Sequence, residues 1–195
     1  MNLVVNYPNC AFNGCILWPN FLFLAEKPEY ALFAPACVEA EKIYASAPAL
    51  CAVGCRKAME LAIKWVYAAD QTMKMPYKDN LKSLVFEPSF RFAMDQNTWE
   101  KLRYIAKLGN MAVHTGRNVQ PGDALAALRG LFEFVQWIDY CYGPDYVERT
   151  FDENLIPTEK VAVDTQKIKA QESLLDETDA QIEALRPQIE PLAAQ

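Results

Sequence analysis

Histidine occurs once in this 195-residue chain and glycine only seven times. A single imidazole leaves a mixed Cys/His zinc site short of a ligand, and the cysteines contain no CxxC pair. The six of them (Cys10, Cys15, Cys37, Cys51, Cys55 and Cys141) read as reduced thiols in a reducing cytoplasm. Cys51 and Cys55 stand four apart in a helical stretch, where they share a face and pack as small apolar groups. No run approaches the ~20 apolar residues of a membrane span. Residues 1–19 lack a basic start, and Asn, Pro and Gly interrupt them, so they make a poor signal peptide. A GxxxxGK[ST] phosphate loop is missing, which excludes ATP binding by that route. GxSxG, HExxH and dinucleotide glycine motifs are missing too. Basic residues are outnumbered 19 to 25, for a net charge of -6. That balance excludes a surface attractive to nucleic acid everywhere, so any DNA or RNA contact needs a local basic patch.

What is present is helical periodicity. The chain is 52% hydrophobic and 12% aromatic, enough for a packed core. No segment alternates cleanly with period two. A first helix is expected from Pro28 and Glu29 through Tyr44, with Pro48 ending it or opening the next, which runs from about Ala49 to Asp70. After a break at Lys74–Pro76, Asp79 is the expected N-cap of a short helix, NLKSLVF. Pro88 to Asp95 reads as a loop or single turn. Asn97 or Thr98 is the expected cap of a helix through Trp99, Leu102, Ile105 and Leu108 that ends near Gly109. After the connector from Gly116 to Gly122, Asp123 is the expected cap of a last long helix that stops at Gly143–Pro144.

Residues 144–157 are irregular and acidic. From Thr158 the chain turns charged, and Val161, Ile168, Leu175, Ile182 and Ile189 recur every seven residues as one coiled-coil stripe. Its companion stripe is poor, and Pro187 and Pro191 break it, so a projecting helix of about 25 residues that docks weakly or links is expected. The predicted architecture is all-α: a four- to five-helix bundle over residues 20–157, preceded by an extension (1–19) and followed by a helical tail (158–195).

The best candidate for chemistry is KLGNMAVHTGR, Lys107 to Arg117, which holds the lone His114 beside Asn110. An imidazole titrating near neutrality suits a general base for an RNA 2′-hydroxyl, with Arg103, Lys107 or Arg117 against phosphate charge. The bland reading, which carries more weight, is that His114 packs or caps inside the bundle while Asn110 satisfies a buried backbone group. Arg56 and Glu60, four apart, are expected to pair, either partly buried or at the surface. The stripe Phe132, Phe134, Trp137, Ile138 and Tyr140 has the spacing of core, with base stacking as its other reading.

The segments NFLFLAEKPEYALFAPACVEAEKIYASAPALCAVGCRKAMELAIKWVYAAD, YKDNLKSLVFEPSFRF, LGNMAVH and DALAALRGLFEFVQWIDYCYG, in that order, resemble the start of the restriction (R) subunit of type I restriction–modification enzymes. The likeness covers about Asn20 to Pro157. It implies an amino-terminal helical module in the cytoplasm that precedes nuclease and translocase parts using ATP and Mg. No cofactor or metal is implied for this stretch itself. The implied partners are the methyltransferase and specificity subunits, with DNA or RNA contact and homodimerisation also open. The module is similar in turn to the HEPN superfamily of helical bundles, whose metal-independent RNases carry Arg-x(4–6)-His. Here that pattern puts Gly109 where the arginine belongs, with Asn110 and His114 following. Lys107 has the spacing but no planar fork. The resemblance therefore implies a non-catalytic accessory module.

Overall fold

Proline costs nothing in the first turn of a helix, because the N–H it lacks has no intrahelical acceptor there. It opens four of the seven α-helices among the described residues: α2 (Ala34–Ile43), α3 (Pro48–Ala69), α5 (Pro88–Arg91) and α7 (Pro121–Tyr142). The others are α1 (Leu22–Ala25), α4 (Leu81–Phe86) and α6 (Gln96–His114). The computed structural model describes residues 19–114 and 119–158, with the backbone only at His114. The expected extension up to residue 18, the expected tail from 159 on, Cys10, Cys15 and Arg117 lie outside the described residues. The described chain is all-α, and no strand occurs in it.

Several boundaries differ from the sequence reading, each for a local reason. The helix expected from Pro28 to Tyr44 is divided. Pro28–Tyr30 is one 3-10 turn, and α2 begins only at Ala34. A continuous helix would have Pro35 in its interior, without an N–H and with its ring against the preceding turn. The cap of α4 is Asn80 rather than Asp79; its carboxamide oxygen accepts from the Ser83 N–H at 2.9 Å. Asp79 instead faces Lys64 at 3.4 Å. Asp95, not Asn97 or Thr98, caps α6. Its carboxylate accepts from the Asn97 and Thr98 backbones at 2.9 and 3.0 Å and from the Thr98 hydroxyl at 2.6 Å. Those bonds to Thr98 hold the Asp95 carboxyl below its usual range. Asp123 lies inside the first turn of α7, after the cap Gln120, where its negative charge still suits the helix dipole.

The largest difference is at Gly109, which does not end α6; the helix continues to His114. The glycine serves a close crossing with α3. A Cβ built at Gly109 would lie 2.6 Å from Arg56 Cβ, 2.8 Å from Arg56 Cδ and 3.2 Å from the Ala52 carbonyl oxygen. Around this crossing α3 is the central helix and packs on α2, α6 and α7, while α6 also packs on α7. Small buried residues on α3 (Cys51, Ala52, Cys55, Ala58 and Ala62) let the neighbours approach from several sides. Larger groups fill the remaining space. Tyr30, Phe33 and Tyr142 surround Trp65 at centroid distances of 5.3, 5.9 and 5.9 Å in edge-to-face contacts.

Two fully buried carboxylates tie the ends of the described chain to this bundle. On α2, Glu41 accepts from the Asn20 backbone at 3.1 Å, from its carboxamide at 2.7 Å and from the Phe21 backbone at 3.5 Å. Asn20 in turn exchanges bonds of 3.0 and 2.8 Å with the Asp152 backbone. On α7, Asp139 pairs with Lys27 and accepts from the Tyr30 hydroxyl at 2.9 Å, with Arg149 at 3.7 Å from its other oxygen. At that length Arg149 contributes charge without a hydrogen bond. Burial, and then the Asp139 hydrogen bond, push the Tyr30 hydroxyl well above its ordinary pKa. Gly143 is dictated by the same cluster, since a Cβ there would meet Asp139 Oδ1 at 2.4 Å and the Tyr30 hydroxyl at 2.8 Å.

Two predictions follow from these contacts. Gly109→Ala lowers stability by about 1–3 kcal/mol in urea unfolding, the usual cost of overpacking. Gly122→Ala, with open space around it, is neutral or stabilising by up to about 1 kcal/mol. Equal losses in the two variants would contradict the crossing. For Glu41, burial raises the carboxyl above its ordinary pKa, against the pull of the Asn20 and Phe21 donors. Between the unfolded and folded pKa values the native chain then holds more protons and gains stability as pH falls. Wild type should therefore gain on Glu41→Gln as pH drops from neutral into the usual carboxylate range. A pH-independent difference between the two would refute this.

Candidate functional site

Helix α6 turns its apolar residues Leu102, Ile105 and Leu108, together with Gly109, into the core. The spacing of Arg103, Lys107 and Asn110 (i, i+4, i+7) then puts all three on an exposed stripe. Among the described residues no ion pair or hydrogen bond joins these three to one another. Asn110 is exposed, so it does not satisfy a buried group as one sequence reading had it. His114 closes the helix, and its side chain lies outside the described residues.

Arg103 has a different setting from Lys107. Its guanidinium lies 4.8 Å from the Trp99 ring centroid, one turn back on α6, and 5.7 Å from Phe86 at the end of α4. Arg91, from α5, lies 4.3 Å from the same Trp99 ring. The indole plane is set by a hydrogen bond from Trp99 Nε1 to the Val85 carbonyl at 3.0 Å and by an edge-to-face contact with Phe86 at 5.4 Å. Sequence reasoning had Arg103 as a candidate but missed Arg91, Trp99 and Phe86. The i, i+4 spacing of Trp99 and Arg103 was the available signal; the part played by α4 and α5 was not visible in it. On the next face of α6, the Tyr104 hydroxyl donates to Asp123 at 3.0 Å and fastens α6 to the start of α7. Burial and that carboxylate raise the Tyr104 pKa.

The expected Arg56–Glu60 pair is not formed. Glu60 pairs with Lys64 at 3.1 Å, one turn further along α3. Arg56 lies over Gly109 in the crossing, and its Nε is buried with no hydrogen-bond partner among the described residues. The helix spacing of Glu60 allows either partner; contact with α6 draws Arg56 away.

Of the aromatic stripe on α7, Phe132, Phe134 and Ile138 are buried and Trp137 is half-buried, which is the core reading. Tyr140 is the exception, exposed and edge-to-face with Tyr146 at 5.2 Å. Cys37, Cys51 and Cys55 are buried free thiols and Cys141 an exposed one. Burial raises the Cys37 and Cys55 thiols far above the reactive range. Among the described residues no three His, Cys, Asp or Glu side chains come together to hold a metal ion. Two open depressions mark the surface. One, of about 400 Å³ over α2 and α3, is lined mainly by apolar groups such as Leu32, Ile43, Leu50 and Leu61. In the other, about 640 Å³ beside residues 150–155, Arg129 is paired with Glu153. Among the described residues no helix is long and apolar enough to cross a membrane.

The family DUF4145, described as a domain of unknown function, matches residues 38–153. No curated protein and no solved structure matches the chain. The matched stretch runs from within α2 to the 3-10 turn Glu153–Leu155 and so takes in Glu41, Asp139 and the whole Arg91–Trp99–Arg103 surface. With more than half of its length covered, the chain belongs to the DUF4145 family.

Proposed function

We propose that this chain is a non-catalytic interaction module in the cytoplasm, the amino-terminal accessory part of a type I restriction R subunit, docking on the methyltransferase and specificity subunits. The observation that carries this reading is how the ionisable residues are employed. The buried carboxylates Glu41 and Asp139 hold chain segments to the bundle, and Arg103 lies against Trp99 and Phe86 instead of beside Lys107. ATP and Mg belong, on this reading, to the parent's nuclease and translocase parts.

One observation favours a second reading, a metal-independent RNase. Arg56 of α3 packs its Cβ and Cδ against Gly109, where the HEPN pattern places arginine, so α3 brings an arginine to the α6 turn that precedes His114 by five positions. That side chain offers the planar fork that Lys107 lacks.

Two measurements separate the readings. The chain should be retained by immobilised methyltransferase and specificity subunits, and deleting residues 20–157 from the parent should impair assembly or restriction. Undiminished assembly and restriction after the deletion would count against the module. Labelled RNA incubated with the chain and a chelator should stay intact. Cleavage that disappears in both His114→Ala and Arg56→Gln would establish the RNase instead.

A further inference from the structure

We propose that the surface where α4 and α5 meet the start of α6 binds single-stranded nucleic acid, with Arg91 and Arg103 taking phosphates and the exposed phenylalanines taking bases. The inference does not depend on the parent being a restriction subunit. Phe92 is 81% exposed and Phe86 49%, a cost in apolar surface left in water at one small site. Phe92 has a guanidinium neighbour, Arg91 at 5.9 Å, but no aromatic partner among the described residues. Two guanidiniums lie 4.3 and 4.8 Å from the one Trp99 ring centroid. Each gains from the ring, and two positive charges gathered at one indole favour a nearby anion.

Neither arginine forms an ion pair with a carboxylate among the described residues. Arg91 donates to Gln96, a neutral amide whose own NH₂ donates to Glu100 at 2.6 Å. The wider charge pattern agrees. Residues 71–108 hold seven basic and four acidic side chains, in a chain whose total is -6. Lys101 among them is paired with Glu133, so Arg91 and Arg103 are the cations that this surface itself offers a polyanion. Cations alone would suit any polyanion. Flat rings beside them suit a strand whose bases are unstacked, because every base presents a π-face, and a duplex buries those faces in its own stack. An acidic protein partner would occupy the guanidiniums and leave Phe92 without a role.

The test is fluorescence anisotropy with the whole chain, using labelled oligo(dT) and oligo(U) of about 12 nucleotides, a typical single-strand site. A duplex of equal length and heparin serve as competitors. At least one single strand should bind more tightly than the duplex, with affinity falling as salt rises. The double substitution Arg91→Gln, Arg103→Gln should weaken binding about tenfold or more and lower the salt slope by about 1–2. Phe92→Ala should weaken binding about fivefold or more with the salt slope unchanged, as loss of one stacked base would. Circular dichroism should show native helix content in both variants. Because Phe92 is so exposed, its variant keeps the test valid even if the double one unfolds. Absence of single-strand binding at low salt would overturn the proposal. So would binding indifferent to both sets of substitutions, or equal preference for duplex and heparin with no effect of Phe92→Ala. Retention by the methyltransferase and specificity subunits is a separate measurement, so either result can fail without the other.

Discussion

The close approach of α3 and α6 at Gly109 is the constraint on which the arrangement rests. Helix axes come together only where side chains are small, and a backbone hydrogen in place of a Cβ is the smallest group available. Arg56 Cβ and Cδ occupy the space a side chain at 109 would need. That contact keeps α6 close to α3, which leaves α7 able to pack on both. It also explains why a glycine sits in a helix interior, where it costs roughly 1 kcal/mol of propensity relative to alanine.

From that crossing outward, the buried charges follow a common logic. A carboxylate in an apolar interior is tolerable only when donors surround it, and loss of a partner from such a site costs several kcal/mol. Glu41 obtains its donors from Asn20 and Phe21, and Asp139 obtains its donors from Lys27 and Tyr30. Each pairing joins positions at least 20 apart in sequence, and in the Asp139 pairings more than 100. The segments flanking the long helices are thereby anchored by polar contacts as well as by apolar burial. With its buried ionisable groups employed in this way, the bundle has its unspent cationic and aromatic surface outside the core, around α4, α5 and the first turns of α6.

Much of this was legible from residues alone. Periodicity of three and four, scarce glycine and proline at helix starts specify an all-α chain, because each is a local property of the backbone. The span of α3, the single turn at Pro88 and the stop at Gly143 followed from the same local chemistry. Errors came where two local solutions compete. Asp79 and Asn80 are both good caps, and the attraction of Lys64 for Asp79 left the role to Asn80. Pro35 stands inside a periodic apolar run, so periodicity alone predicts one helix where a 3-10 turn and α2 stand.

The sequence by itself determined helix content, most helix limits and the absence of the common nucleotide and hydrolase motifs, because these depend on neighbours a few residues away. Tertiary structure alone decided that Gly109 is a crossing point rather than a helix end, and that Arg56 turns to α6 while Glu60 pairs with Lys64. It likewise brought Arg91 and Arg103, 12 positions apart, to one indole. The physical reason is the same in each case. A helical pattern states which face is buried, but not which neighbour buries it, and the partner across the interface settles what each side chain does.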